Sequence, residues 1–303
     1  MSNVVLTISV VTMNRALQLK EALESCISCN LPENTEFVIV DNASTDNTKD
    51  IVSEALQNCG YKFYYEKLSE NLGVGGGRNY AFTKSSGKYI YVMDDDAVIP
   101  VEQRDFFRNA VAHLDNHDEI ITLTTQAYDT AWKDYRVKEV ERGKLLYDGL
   151  YSFKMFFGFS HFLRKDFFEV PPYLNNKYGY EEIPPSLYVA DAGMKNVFCP
   201  DLMIIHKPAV DKWDKSVEEN VKISIIDCAT PYALRKILYP SVFGLLLKLA
   251  YITRCKKYLG THAGAKKQAD KLVKDIMAEY SDMKKIKIKT VLRQFKEFGL
   301  SIF

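Results

Sequence analysis

Three carboxylates in a row, Asp94-Asp95-Asp96, follow the apolar run Tyr89-Ile90-Tyr91-Val92-Met93. Adjacent acids repel, and burying them unpaired is costly. A divalent cation removes that cost. Alternate residues of an extended chain point the same way, so Asp94 and Asp96 can share one ion with phosphate oxygens. For a single Asp a solvated turn would be the plainer reading; for three behind so apolar a run, metal is preferred. Asp41 closes a short run at 36–40, where a carboxylate can accept from a base N–H or a ribose hydroxyl; capping the next helix is the alternative. His206 ends residues 202–206, and neutral imidazole is a common metal ligand. Glu181-Glu182 precede Ile183-Pro184-Pro185, the expected start of a helix whose positive end favours ionised carboxylates and would keep a general base charged near neutral pH. Residues 69–78 form a polar, glycine-rich turn ending in Arg78. Glycines let a backbone approach a ligand, and a guanidinium suits phosphate. Neither the G-x-G-x-x-G nor the P-loop spacing is present, and alone the segment reads as a tight turn.

Such residues need a frame that gathers strand ends. Residues 4–12 read as a strand, followed by a helix with Leu19, Ala22, Leu23, Cys26 and Ile27 inward and Asn14 as its cap. A strand at 36–40, a short helix with Ile51, Val52, Ala55 and Leu56 inward, and a strand at 61–66 come next. After the glycine turn a helix runs to about 85, then the central strand begins at Tyr89. A helix is expected over 101–114, a strand over 120–125, an aromatic strand-like stretch over 153–163, a helix from Glu181 to about 192, and two short strands at 197–199 and 202–206. Between 126 and 149 the pattern breaks, with Tyr128, Trp132 and Tyr135 among charges, which predicts an insertion or flap. Alternating strands and helices predict an α/β fold with a mostly parallel sheet covered on both faces. From Trp213 onward the chain reads as helical.

The 303 residues are 47% hydrophobic and 26% charged, as in ordinary globular proteins, and a net charge of +1 gives no case for nucleic acid. With no cationic leader before the first strand, the six cysteines are expected as thiols in a reducing cytoplasm. Cys26-x-x-Cys29 lies within an amphipathic helix pattern and reads as core packing. Charge is uneven. Residues 240–303 hold fourteen Lys/Arg against five Asp/Glu, and the remainder twenty-six against thirty-four. The apolar stretch 242–252 is shorter than the ~20 residues a bilayer span needs. A basic patch of Lys284, Lys285, Lys287, Lys289, Arg293 and Lys296 is interleaved with Ile286, Ile288, Val291, Leu292 and Phe295. Such helices could lie on an anionic membrane, cap the catalytic domain or form a dimer contact.

Four segments occur in order: Thr12-Met13-Asn14-Arg15, Val38 to Asp46, Asn71 to Arg78, and Asp94-Asp95-Asp96. Together they resemble the family-2 glycosyltransferases of the GT-A fold, with bacterial rhamnosyl- and galactofuranosyl-transferases as the nearer relatives. The resemblance covers about residues 4–210. It implies a catalytic domain over 1–210 and a helical extension over 211–303. The implied activity is inverting, metal-dependent transfer of a sugar from a UDP- or dTDP-type donor to a hydroxyl of a glycan or lipid-linked acceptor. Cell-surface polysaccharide synthesis at the cytoplasmic face of the membrane is the implied setting. By the same resemblance Thr12, Asn14, Arg15 and Asp41 hold the nucleotide, residues 71–78, including Asn71 and Arg78, pass near it, and Asp95 faces the ribose or donor sugar. Asp94, Asp96 and His206 would bind Mg or Mn. The family's acidic pair is usually Glu-Asp; here it is Glu181-Glu182, and Glu182 is taken as the base. The rival readings are a sugar-phosphate nucleotidyltransferase and a catalytically silent sugar-nucleotide or glycan binder.

Overall fold

The structure, a computed structural model, describes residues 4–176, 179–208, 217–260 and 262–303. The chain divides into two compact units, Met1–Val189 with Met194–Pro208, and Ala190–Gly193 with Ala209–Phe303. The boundary expected at residue 210, and Trp213, fall in 209–216, outside the described residues.

The first unit opens with β1 (Leu6–Thr12), α1 (Ala16–Ile27), β2 (Thr35–Asp41), α2 (Thr48–Leu56), β3 (Lys62–Lys67), α3 (Gly73–Lys84) and β4 (Tyr89–Asp94). It continues through β5 (Ala97–Val98), α4 (Phe106–Asn116), β6 (Ile120–Asp129) and β7 (Asp134–Tyr135) to β8 (Leu145–Tyr147), β9 (Leu150–Ser152), β10 (Ser160–Arg164), α5 (Ile183–Asp191) and β11 (Lys195–His206). The sheet order is β3-β2-β1-β4-β10-β6-β11-β9-β8. The pairs β3-β2, β2-β1, β1-β4 and β6-β11 are parallel, and β10 lies antiparallel between β4 and β6.

Period-two side-chain direction explains why these strands read as continuously apolar. Tyr89, Tyr91 and Met93 face one layer with α1 and α4, while Ile90 and Val92 face Phe82, Phe156 and Tyr173 on the other. Phe37 and Ile39 likewise oppose Val38 and Val40, so both faces are covered. Tyr91 anchors the first layer with Phe106 and Phe107 in edge contact and its hydroxyl 2.7 Å from Ser160 Oγ. Cys26 and Cys29 are buried here as expected, and burial pushes the Cys26 thiol well up.

Several expectations are corrected. Asn14 does not cap α1; its φ is +52°, its Oδ1 accepts from the Thr45 N–H, and Asp46 Oδ2 accepts from the Ala16 N–H instead. The glycines lie inside α3 rather than in a turn before it. The reason is packing: a Cβ at Gly75 would stand 1.8 Å from the Leu174 carbonyl oxygen. The expected insertion over 126–149 begins as strand, because β6 runs on to Asp129, and the rest holds the short strands β7 and β8. Residues 153–159 are a buried aromatic loop, and only 160–164 form a strand. The two short strands near 200 are one, β11, with a register shift between Cys199 and Met203.

The second unit holds α6 (Val217–Leu238), α7 (Gly244–Leu259), α8 (Ala265–Glu279) and α9 (Ile288–Phe298). Tyr232 and Tyr251 stack at 4.3 Å, and the Tyr251 hydroxyl donates to Asp270 Oδ1 at 2.9 Å. Among the described residues no helix is long and apolar enough to cross a membrane.

Candidate active site

Strand register gathers the acids. Thr12 of β1 pairs with Asp41 of β2, and Val11 pairs with Asp94 of β4, so three carboxyl ends share one sheet edge. Ligands of open α/β sheets bind at such an edge. The turn after β4 carries Asp95 and Asp96, both buried.

Each acid has its own counterpart. Arg15 Nη1 donates to Asp95 Oδ1 at 2.9 Å and to Asp96 Oδ2 at 2.6 Å, and Thr12 Oγ1 donates to Asp95 Oδ2 at 2.7 Å. Burial still pushes Asp95 up to about 6 against the pull of Arg15 and Thr12. For Asp96, burial is outweighed by His206 and Arg15, which hold it below the usual carboxylate range. Arg78 Nη2 donates to Asp94 Oδ1 and to the Gly158 carbonyl, both at 2.8 Å, and Nη1 donates to Glu181 Oε1. This guanidinium is buried. Burial opposes its charge, but Glu181 and Asp94 outweigh burial and hold it above its ordinary value.

His206 ends β11 with Nε2 3.2 Å from Asp96 Oδ1 and Nδ1 2.9 Å from Asp129 Oδ2. Asp129 is fully buried at the end of β6, and Arg136 Nε lies 2.8 Å from its Oδ2. A carboxylate behind a histidine fixes which ring nitrogen faces the site. Asp94, Asp96 and His206 each offer one atom, all within 4.8 Å of one another. Asp96 Oδ1 is buried and makes no hydrogen bond. An acid oxygen left bare beside a second carboxylate and an imidazole nitrogen is a donor set that fits a hard divalent cation.

Glu181 and Glu182 stand just before α5, as expected. The charge state expected of Glu182 is corrected: burial, then the charge of Glu181, push its carboxyl up to about 8 despite Arg78. The helix end is too weak a dipole to offset full burial beside a second acid. Glu181 Oε2 is buried without a hydrogen bond.

The other predicted residues sit outside this network. Asp41 is buried with both oxygens engaged, Oδ1 by the Ser44 N–H at 2.6 Å and Oδ2 by the Tyr65 hydroxyl at 2.7 Å. Asn71 Oδ1 accepts from the Gly73 N–H, at the start of α3. Asn14 ties its loop to Ser44 and Thr45.

A profile described as glycosyl transferase family 2 matches residues 7–170, more than half of the chain. The chain belongs to glycosyl transferase family 2. The transferase is 31% identical over 111 residues to the minor teichoic acid biosynthesis protein GgaB of Bacillus subtilis (strain 168), a stretch covering 36% of this chain and 12% of that protein's length. Its fold is similar to TarS of S. aureus in complex with UDP-GlcNAc, with TM-score 0.63 and 15% identity over 98% of this chain and 89% of that one. It is also similar to the mannosyltransferase PcManGT from Pyrobaculum calidifontis in complex with GDP-Man and Mn2+, with TM-score 0.55 and 16% identity over 96% of this chain and 78% of that one. The GT-A fold expected from the motifs is the one observed. Membership of a transferase family replaces the sugar-phosphate nucleotidyltransferase reading.

Sequence reasoning missed Asp129, Arg136 and Gly158. Asp129 carried a usable signal: like Asp41 and Asp94 it closes a strand, but the strand was expected to stop at 125. Gly158 carried none. A Cβ there would lie 2.6 Å from both Arg78 Nη1 and Glu182 Oε1, a closeness only the fold reveals.

Proposed function

We propose that this transferase moves a sugar from a nucleoside diphosphate donor to a hydroxyl of a glycan or lipid-linked acceptor, with inversion and with a divalent cation, Mg or Mn. One observation carries the reading: Asp94, Asp96 and His206 converge while Asp96 Oδ1 lies buried without a hydrogen bond. These three residues would hold the ion, which when bound supplies counter-charge to the departing diphosphate. Solved neighbours holding UDP-GlcNAc, or GDP-Man with Mn2+, support the donor class and the cation. A UDP- or dTDP-sugar remains the proposed donor.

The residues of the chain then divide the work. Asp129 orients the His206 ring and leaves Nε2 facing Asp96. Thr12, Asn14, Arg15 and Asp41 line the nucleotide side at the ends of β1 and β2; Asn71 and Arg78 border it, and Asp95 faces the ribose or sugar. Glu182, with its raised affinity for protons, accepts the acceptor's hydroxyl proton. The freed oxygen attacks the anomeric carbon as the bond to the diphosphate oxygen breaks on the opposite face, and the leaving group carries away the electron pair. Holding donor and acceptor in line supplies much of the acceleration. The match to a teichoic acid protein supports cell-surface polysaccharide synthesis as the setting, and the cytoplasmic face of the membrane is the proposed place for it.

A thermal-shift screen of UDP-, GDP-, CDP- and dTDP-sugars with Mn identifies the donor, followed by a transfer assay with and without chelator. Asp96→Ala is expected to remove metal-dependent transfer while the chain stays folded. Full wild-type activity in excess chelator would overturn the metal assignment.

A further inference from the structure

Helix α9 carries Ile288, Leu292 and Phe295 at spacings of four and three, a single stripe on one face. A helix that stabilises a core turns such a stripe inward. Here Thr290, Val291 and Gln294 are buried, whereas Ile288, Leu292 and Phe295 are 51%, 53% and 42% exposed. The polar side is held in by specific bonds. Thr290 Oγ1 and the Lys287 N–H both donate to Asp191 Oδ1 at 2.7 Å, and Arg293 donates to the Ala190 carbonyl; both acceptors belong to the same unit. A second stripe, Val242, Leu245, Leu246 and Leu249, is exposed at the start of α7. The two stripes flank one aromatic group, since Phe303 lies 6.0 Å from Phe243 and 5.9 Å from Phe295.

Charge selects the occupant. Between residues 283 and 296 there are six Lys/Arg and no acid. Lys285, Lys287 and Arg293 reach backbone carbonyls, and Lys287 also lies 3.6 Å from Asp191 Oδ2. A second copy docked by the same patch would set these six cations against six, because a two-fold interface opposes a surface to itself. An anionic bilayer presents the opposite charge around an apolar interior, and long basic side chains reach headgroups while their neighbours enter the acyl boundary. We propose that this face of the second unit, α9 with the start of α7, docks on an anionic lipid surface. The inference does not depend on the catalytic reading.

The test is co-sedimentation of the full chain with vesicles of phosphatidylcholine alone or of phosphatidylcholine containing phosphatidylglycerol. Binding is expected to the anionic vesicles only, and to weaken as salt is raised. Leu292→Ser with Phe295→Ser should lower the partition about tenfold or more. Lys289→Glu with Lys296→Glu, both at exposed positions, should do so without touching an apolar group. Sugar transfer to a water-soluble acceptor should be unchanged in both variants, so docking and catalysis fail separately. No binding by the wild type overturns the proposal, as does equal binding to both vesicle types. So does a concentration-dependent dimer that these substitutions dissolve while vesicle binding persists.

Discussion

Asp94, Asp95 and Asp96 meet Arg15, Arg78 and His206, three cationic or protonatable partners for three carboxylates. Among the described residues, Glu181 and Glu182 share one cation, Arg78, and part of that guanidinium is already given to Asp94. The consequences diverge. Asp96 is held below the usual carboxylate range, while Glu182 is pushed up to about 8. Burial pushes both carboxyls up, but at Asp96 it is outweighed by His206 and Arg15, whereas at Glu182 burial and the charge of Glu181 prevail over Arg78. The first arrangement suits a group that stays ionised to hold a cation; the second suits one that must take up a proton.

The sharpest way to break that contrast is Glu182→Gln, which removes the proton acceptor and keeps the shape. Transfer should fall by about 10²- to 10⁴-fold with donor affinity retained, read from kcat against donor binding; near-normal turnover would refute the base assignment. The pH profile comes next. Glu182 is raised, so it is protonated below about 8 and ionised above it, and only the ionised form accepts a proton. The rate should therefore rise about tenfold per unit up to that point and then level. Glu181→Gln removes one cause of the raised value and should move the rise to lower pH. Asp129→Asn leaves the ligands in place but loosens the His206 ring, and should weaken Mn affinity about 10- to 100-fold, measured by metal titration of transfer. Gly158→Ala forces a Cβ against Arg78 and Glu182, and should cost about 1–3 kcal/mol in denaturant unfolding. The smallest effect is expected away from the contrast: Tyr65→Phe strips one donor from Asp41 and should cost about 1 kcal/mol.

Strand ends were the legible part. The run of Tyr89 to Asp94 and its neighbours announce both the fold and the edge, because a strand buried on two faces is apolar throughout and its first acid marks where burial stops. Pairings across the sheet were not legible. Nothing local says that β10 inserts antiparallel between β4 and β6, bringing Gly158 beside Arg78. Arg78 itself was expected to await a phosphate; its buried contacts to Asp94 and Glu181 come from a distant segment that spacing cannot see. The glycines misled for a related reason. Their small size serves the close approach of Leu174 to α3 at Gly75, and a sequence shows that room is needed without showing for whom.

The tie from Arg78 to both Asp94 and Glu181 limits how this protein can be re-engineered. A chimera that imports another member's stretch between β10 and α5 must bring an acid to the place of Glu181. Without it the recipient carries a desolvated cation with half its partners gone, a defect that costs about 3–5 kcal/mol. Swapping loops to change the recipient sugar is therefore a two-ended edit, and libraries that vary one end alone should be enriched in destabilised chains.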